Sequence, residues 1–260
     1  MEPGWDDNLN SDGFISGIHN YCDYWCERCT MAVHCAIYDD QQGKRRRSDS
    51  IEEENRRFWK DLLGNLEEAL ELAQESARDM GIDPDELVTP EYLAEIEAED
   101  AIAEQDEIIQ SAWGYFVTVS DWLKQAEPVL EAKEEELNQK LQLAFPDVNP
   151  EQEAEDIIDC LEVIQWDHTF INSKVNRAVR GKIHGDEDIM EEWEKDSNGS
   201  AKIALLSIER SIAAWMKLRR YFPEHRDELL GFLLTLNRMR EGLLRDFPNA
   251  MLFKRPGFDD

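Results

Sequence analysis

From Ile51 onward, apolar residues recur every three or four positions, the spacing of one face of an α-helix. The strict alternation of a half-buried strand is not kept anywhere along the chain. Phe58, Leu62, Leu66, Ala69, Ala73 and Ala77 make the first stripe and predict a helix over 51–80 with a buried face, stopped by Gly81. Past Pro84 and Pro90 a longer pattern runs to Leu143 through Ile102, Ile109, Ala112, Phe116, Leu123, Leu130, Leu137 and Leu141. Pro128 must kink or split it, because proline removes a helical N–H and clashes with the preceding turn. The stretch from Phe145 to Pro150 closes that unit.

A third helix is expected over 151–180 on Ile157, Leu161, Ile164, His168, Ile171 and Val175. Ser197-Asn198-Gly199-Ser200 reads as the cap of a fourth, which reaches Tyr221 on Ala201, Leu205, Ile208, Ile212 and Trp215. Pro223 separates it from a fifth, over 224–246, carrying Leu229, Phe232, Leu233, Leu236, Met239 and Leu243. The expectation is all-α: a bundle of about five long helices over 51–260, closed by a packed tail from 247. Residues 1–50 form a cysteine-rich, metal-binding segment, with a loosely ordered lead-in over 1–13 and a polar linker that contains Lys44-Arg45-Arg46-Arg47. That basic run reads as a solvated loop balancing nearby acid.

The N-terminal segment changes the picture. Four of the five cysteines, Cys22, Cys26, Cys29 and Cys35, lie within fourteen residues, spaced C-x3-C-x2-C-x5-C. Thiolates are soft ligands, and four of them satisfy a tetrahedral zinc or the corners of a cubane cluster. On an α-helix Cys22, Cys26 and Cys29 share one face at i, i+4 and i+7, and a turn near Thr30 returns Cys35 to them. Structural zinc draws on two separated knuckles or on one knuckle with two histidines, whereas a single tight run suits iron–sulfur. The expected cofactor is therefore a 4Fe–4S cluster, with zinc as the alternative. Tyr21, Tyr24, Trp25 and Tyr38 would shield it from water, and His19 and His34 are secondary candidate ligands.

Cys22-x3-Cys26-x2-Cys29 matches the three-cysteine signature of radical S-adenosylmethionine enzymes, but their α/β barrel has no counterpart in this helical pattern. The run Cys26-Glu27-Arg28-Cys29-Thr30-Met31-Ala32-Val33-His34-Cys35-Ala36-Ile37-Tyr38 resembles the C-x2-C-x5-C segment of WhiB-like iron–sulfur regulators. That resemblance implies cluster ligation by Cys26, Cys29 and Cys35, with Cys22 as the fourth ligand. It covers about thirteen residues and lacks that family's Gly-Trp-Gly turn and basic tail, so it implies the cluster and not the regulator's DNA binding. The stretch from Gly13 to Cys22 resembles the opening of all-helical bacterial proteins with an N-terminal cysteine cluster, a kinship that implies no activity.

Charge narrows the partners. The net charge is −30 at a pI near 4.4. Residues 200–260 carry a net +3, which leaves −33 on the rest of the chain. Such a surface repels nucleic acid and anionic lipid and steers basic proteins, so the expected partner is a basic protein. The opening lacks a secretory signal pattern and the longest apolar run, around Leu229–Leu236, is too short to span a bilayer, so the expected compartment is the cytoplasm.

The bundle offers little chemistry of its own. A ferritin-like di-iron centre wants Glu-x-x-His, and none of the five histidines has a glutamate three residues before it. Asp159, Glu162 and Glu209 are the candidates for a carboxylate-only centre. His168 stands on the buried stripe, either as a ligand or proton carrier or as a neutral ring bonded to a polar neighbour on another helix. Cys160 reads as a buried thiol acting as a small hydrophobe. The functional expectation is a metal-binding protein for redox sensing or electron transfer rather than an enzyme. A zinc-stapled helical scaffold and a ferritin-like oxidoreductase are the alternatives.

Overall fold

The computed structural model describes residues 9, 10, 12–45, 51–81, 89–143, 149–185, 190–192 and 194–259. Expectations for the lead-in up to residue 8, for Arg46 and Arg47, for Pro84 and for Phe145–Val148 fall outside these residues. Among the described residues the chain is all-helical; its only strand-like feature is a single bridge between Leu9 and Ile15. No helix is long and apolar enough to cross a membrane.

Eight α-helices are present among those residues rather than about five. They are α1 (Ala36–Arg45), α2 (Ile51–Asp79), α3 (Pro90–Glu104), α4 (Glu107–Gln125), α5 (Glu127–Leu143), α6 (Pro150–His184), α7 (Asp196–Tyr221) and α8 (Arg226–Asp246). The extra breaks have local causes. The single pattern expected between Pro90 and Leu143 is cut twice. Pro128 ends α4 as anticipated, and Asp106 starts α4 by accepting hydrogen bonds from the Ile108 and Ile109 amides at 2.8 and 3.1 Å. Helix α6 runs past Gly181 and stops at Gly185, whose φ of 74° is the left-handed geometry that glycine adopts without a Cβ clash.

The chain divides into two compact units. The first comprises Met1–Asn20, Tyr24–Asp100 and Pro256–Phe258, and the second Tyr21–Asp23, Ala101–Arg255 and Asp259–Asp260.

In the first unit a small apolar cluster of Ile15, Ile18, Met31 and Cys35 gathers Leu9, Cys29, Tyr38 and Phe258 around it. Gly257, at φ 75°, closes over it, and a Cβ there would stand 2.9 Å from Ile15 Cδ1. Helix α2 departs from expectation. Leu66, Ala69 and Ala73 of its stripe are exposed and Ala77 alone is covered, while the Phe58 and Leu62 side chains lie outside the description. Ile102, on α3 and within the second unit, is likewise exposed.

The second unit is the bundle. Helices α6 and α7 pack along most of their length, with α4 against α6, α8 against α7 and α4, and α5 against α6. Its core is Ile108, Ala112, Tyr115 and Val119 of α4, Ile164, Ile171 and Val175 of α6, Ala204, Ile208, Trp215 and Leu218 of α7, and Leu229, Leu236 and Leu243 of α8. The Ser197–Ser200 stretch is not a cap but the buried first turn of α7. Gly199 is required there, since a Cβ would come within 2.6 Å of the Tyr21 ring.

Candidate functional site

The segment that carries the four cysteines is not an α-helix. Three 3-10 turns, Ile18–Tyr21, Cys26–Arg28 and Ala32–His34, follow one another. Between the first two, Tyr24 sits at φ 57°, a left-handed conformation that no α-helix contains. The expected i, i+4, i+7 face is therefore not formed. Cys26 opens one turn and Cys29 closes it, the Cys29 amide donating to the Cys26 carbonyl at 3.3 Å. Cys35 ends the next in the same way on Ala32, at 3.1 Å.

Cys26, Cys29 and Cys35 belong to the first unit and Cys22 to the second. Cys35 is buried in the apolar cluster, Cys29 is packed against it, and Cys22 and Cys26 are half-buried. None of the five cysteines is joined in a disulfide. Among the described residues no group of three or more histidine, cysteine, aspartate or glutamate side chains is arranged to hold a metal ion. Of the aromatic neighbours, Trp25 is buried with the Arg28 guanidinium 4.1 Å over its ring, and Tyr38 is partly covered. Tyr24 is exposed. His34 donates through Nδ1 to the Gly13 carbonyl at 3.3 Å.

Cys22 lies between two anchored residues. The Tyr21 hydroxyl donates to Asp196 at 3.0 Å, its ring packs tilted against Phe253 with centroids 4.4 Å apart, and Asp196 is gripped in turn by Arg177. Asp23 accepts from Arg210 Nη1, and its carbonyl accepts from Trp166 Nε1 at 2.8 Å. Arg210 also holds the fully buried Asp167 in a bidentate pair, with Nε to Oδ2 at 2.8 Å. None of these partners stood out in the chain, because Asp167 and Arg210 are 43 residues apart on different helices. The only sequence signal was an acid, Asp167, beside a histidine on the apolar stripe.

His168 is buried as its stripe position implied. Nδ1 donates to the carbonyls of Gln165 and Ile164 at 2.9 and 3.1 Å, so Nε2 accepts from the Ser120 hydroxyl at 3.1 Å. The ring stacks on Phe116, with centroids 5.4 Å apart. This is a neutral imidazole bonded across to α4. Burial lowers its pKa, against the opposing pull of the two carbonyls. The unfolded chain therefore takes up the proton first. The stability that His168 contributes is complete above about pH 6.5 and drains away as the pH falls toward its folded pKa. His168→Gln is expected to flatten the decline in urea midpoint between about pH 7 and 5; an unchanged decline would show that the ring plays no part in it.

The other candidates occupy solvent faces or plain core. Asp159 and Glu162 are exposed, and Glu209 accepts from Arg240 at 2.9 Å. Cys160 is buried, and burial pushes its thiol pKa up to about 11, against the field of Lys217. Near the C-terminus, burial alone would raise the pKa of Asp259, but hydrogen bonds from Arg255 and Lys202 outweigh it and hold the carboxyl well below the usual range.

No family model, curated protein or solved structure matches the chain.

Proposed function

We propose that Cys22, Cys26, Cys29 and Cys35 bind a metal centre, a 4Fe–4S cluster, and that the protein serves redox sensing or electron transfer. The observation that carries this is the Cys26–Cys29 turn: in a 3-10 turn side chains at i and i+3 eclipse, the relation that would bring these two thiols to one side of it. A buried tryptophan in the turn region and the clamped backbone on either side of Cys22 add support. The cluster would supply one-electron chemistry. The chain's part is to place the sulfurs, keep water from them and let the metal draw the thiolates together as it loads. With four thiolates no iron position is left for a substrate, which disfavours substrate chemistry at the cluster. The acidic surface then selects a basic protein partner by steering.

A second reading, zinc in place of the cluster and a scaffold in place of a redox protein, is favoured by one observation. The apolar core around Cys35 is very small, and such cores need a staple.

Anaerobically purified protein is expected to be brown, with absorbance near about 400 nm that bleaches on reduction and about four irons and four sulfides per chain. Cys26→Ser and Cys29→Ser should abolish the colour, while Cys160→Ser should keep it. Colourless protein with one zinc would establish the second reading, and metal-free protein would refute both.

A further inference from the structure

Helix α2 is apolar on a face that its own unit leaves in solvent. Trp59, Leu63, Leu66 and Leu70 are 60, 59, 58 and 60% exposed, and Ala73 is exposed beside them. Large contiguous apolar surface on one helix marks an interaction site. The spacing of these residues, 4-3-4-3, continues to Ala77 and Met80 and fits the a/d positions of a coiled-coil seam. Trp59, Leu66 and Ala73 fall at d positions and Leu63 and Leu70 at a positions.

We propose that this stripe pairs with the same stripe of a second copy of the chain, antiparallel, about a two-fold axis beside Gly64. In that register Leu63 of each helix packs on Leu66 of the other, and Trp59 packs on Leu70. These are the reciprocal contacts that a two-fold interface demands. The charges select the register. The residues flanking the seam on the e side are Lys60 and Glu67, and this alignment sets Lys60 of each copy opposite Glu67 of the other, twice over. Sliding one heptad either way sets Glu67 against Glu67 or Lys60 against Lys60. A parallel pair instead lays Trp59 on Trp59 and gives neither charge an opposite partner. The overlap ends at Ala73, where the stem of Arg56 from the other copy lies across it, one step short of the buried Ala77.

Light scattering on the full-length protein is expected to give twice the monomer mass, and Leu66→Asp, a change at an exposed helix position that leaves circular dichroism unchanged, should give a monomer. Lys60→Glu should weaken the dimer roughly ten-fold. Glu67→Lys in the same chain should restore it, since residues seven apart do not meet within one helix. A wild-type monomer at all concentrations would overturn the proposal and leave the stripe to another protein's helix. A dimer indifferent to Leu66→Asp would overturn it too, and a failed charge-swap rescue would overturn the antiparallel register.

Discussion

Replacing Arg210 with leucine is expected to cost about 3–5 kcal/mol of folding stability. Asp167 is 0% exposed, and the guanidinium meets both of its carboxylate oxygens. Taking the cation away leaves a carboxylate in apolar surroundings with Ser211 at 3.5 Å as a poor substitute. The pair itself is a different matter, because desolvation offsets most of its attraction. Asp167→Leu combined with Arg210→Leu should therefore recover most of the loss, although each single change is severe. Urea unfolding followed by tryptophan fluorescence reads both. An Arg210→Leu cost under about 1 kcal/mol, or a double variant as unstable as the single, would contradict this account of the pair. The same arginine grips Asp23, the residue after Cys22. Under the proposed function, Arg210→Leu protein that still folds should also hold less metal.

Trp215→Ala should cost a similar amount, about 3–5 kcal/mol, since the indole is fully buried at the crossing of α4, α7 and α8. It stacks on Phe232 with centroids 4.5 Å apart, meets Trp122 edge-on at 5.0 Å, and donates from Nε1 to the Tyr115 hydroxyl at 2.9 Å. Tyr115 is itself buried, and burial pushes the pKa of its phenol well above the ordinary value. Two losses can be separated. Trp215→Phe keeps most of the volume and removes the donor, for about 1–3 kcal/mol. Adding Tyr115→Phe removes the phenol that lost this donor, so the double variant should be less destabilised than the two single costs summed. Strict additivity in urea unfolding would show that the hydrogen bond carries no coupling.

What was readable in the chain followed from short-range rules. Helix periodicity located α2 and α6 to α8 to within a few residues, and Pro128 foretold the α4–α5 break. The Asp106 break was legible in principle: an aspartate immediately before Glu107 and a run of isoleucines is an N-cap signature. His168 was assigned to the core correctly, and what buries it is the packing of α4 and α7 on its helix. Its quiet role was decided by Ser120, 48 residues away.

The cysteine segment was misjudged locally for a physical reason. A spacing of three and four suits an α-helix, but it holds equally for successive tight turns, and Tyr24 in the left-handed region chooses between them. The α2 stripe was misjudged for another. Periodicity reports that a face is apolar and is silent on what covers it.

Spacing along the chain was enough to establish that the described residues are all-helical, because the helix period depends on residues a turn or two apart. Whether a stripe meets solvent or core, which carboxylate finds Arg210, and how the backbone passes through Tyr24 were settled only in three dimensions. Those outcomes depend on partners tens of residues away, and chain spacing carries no record of them.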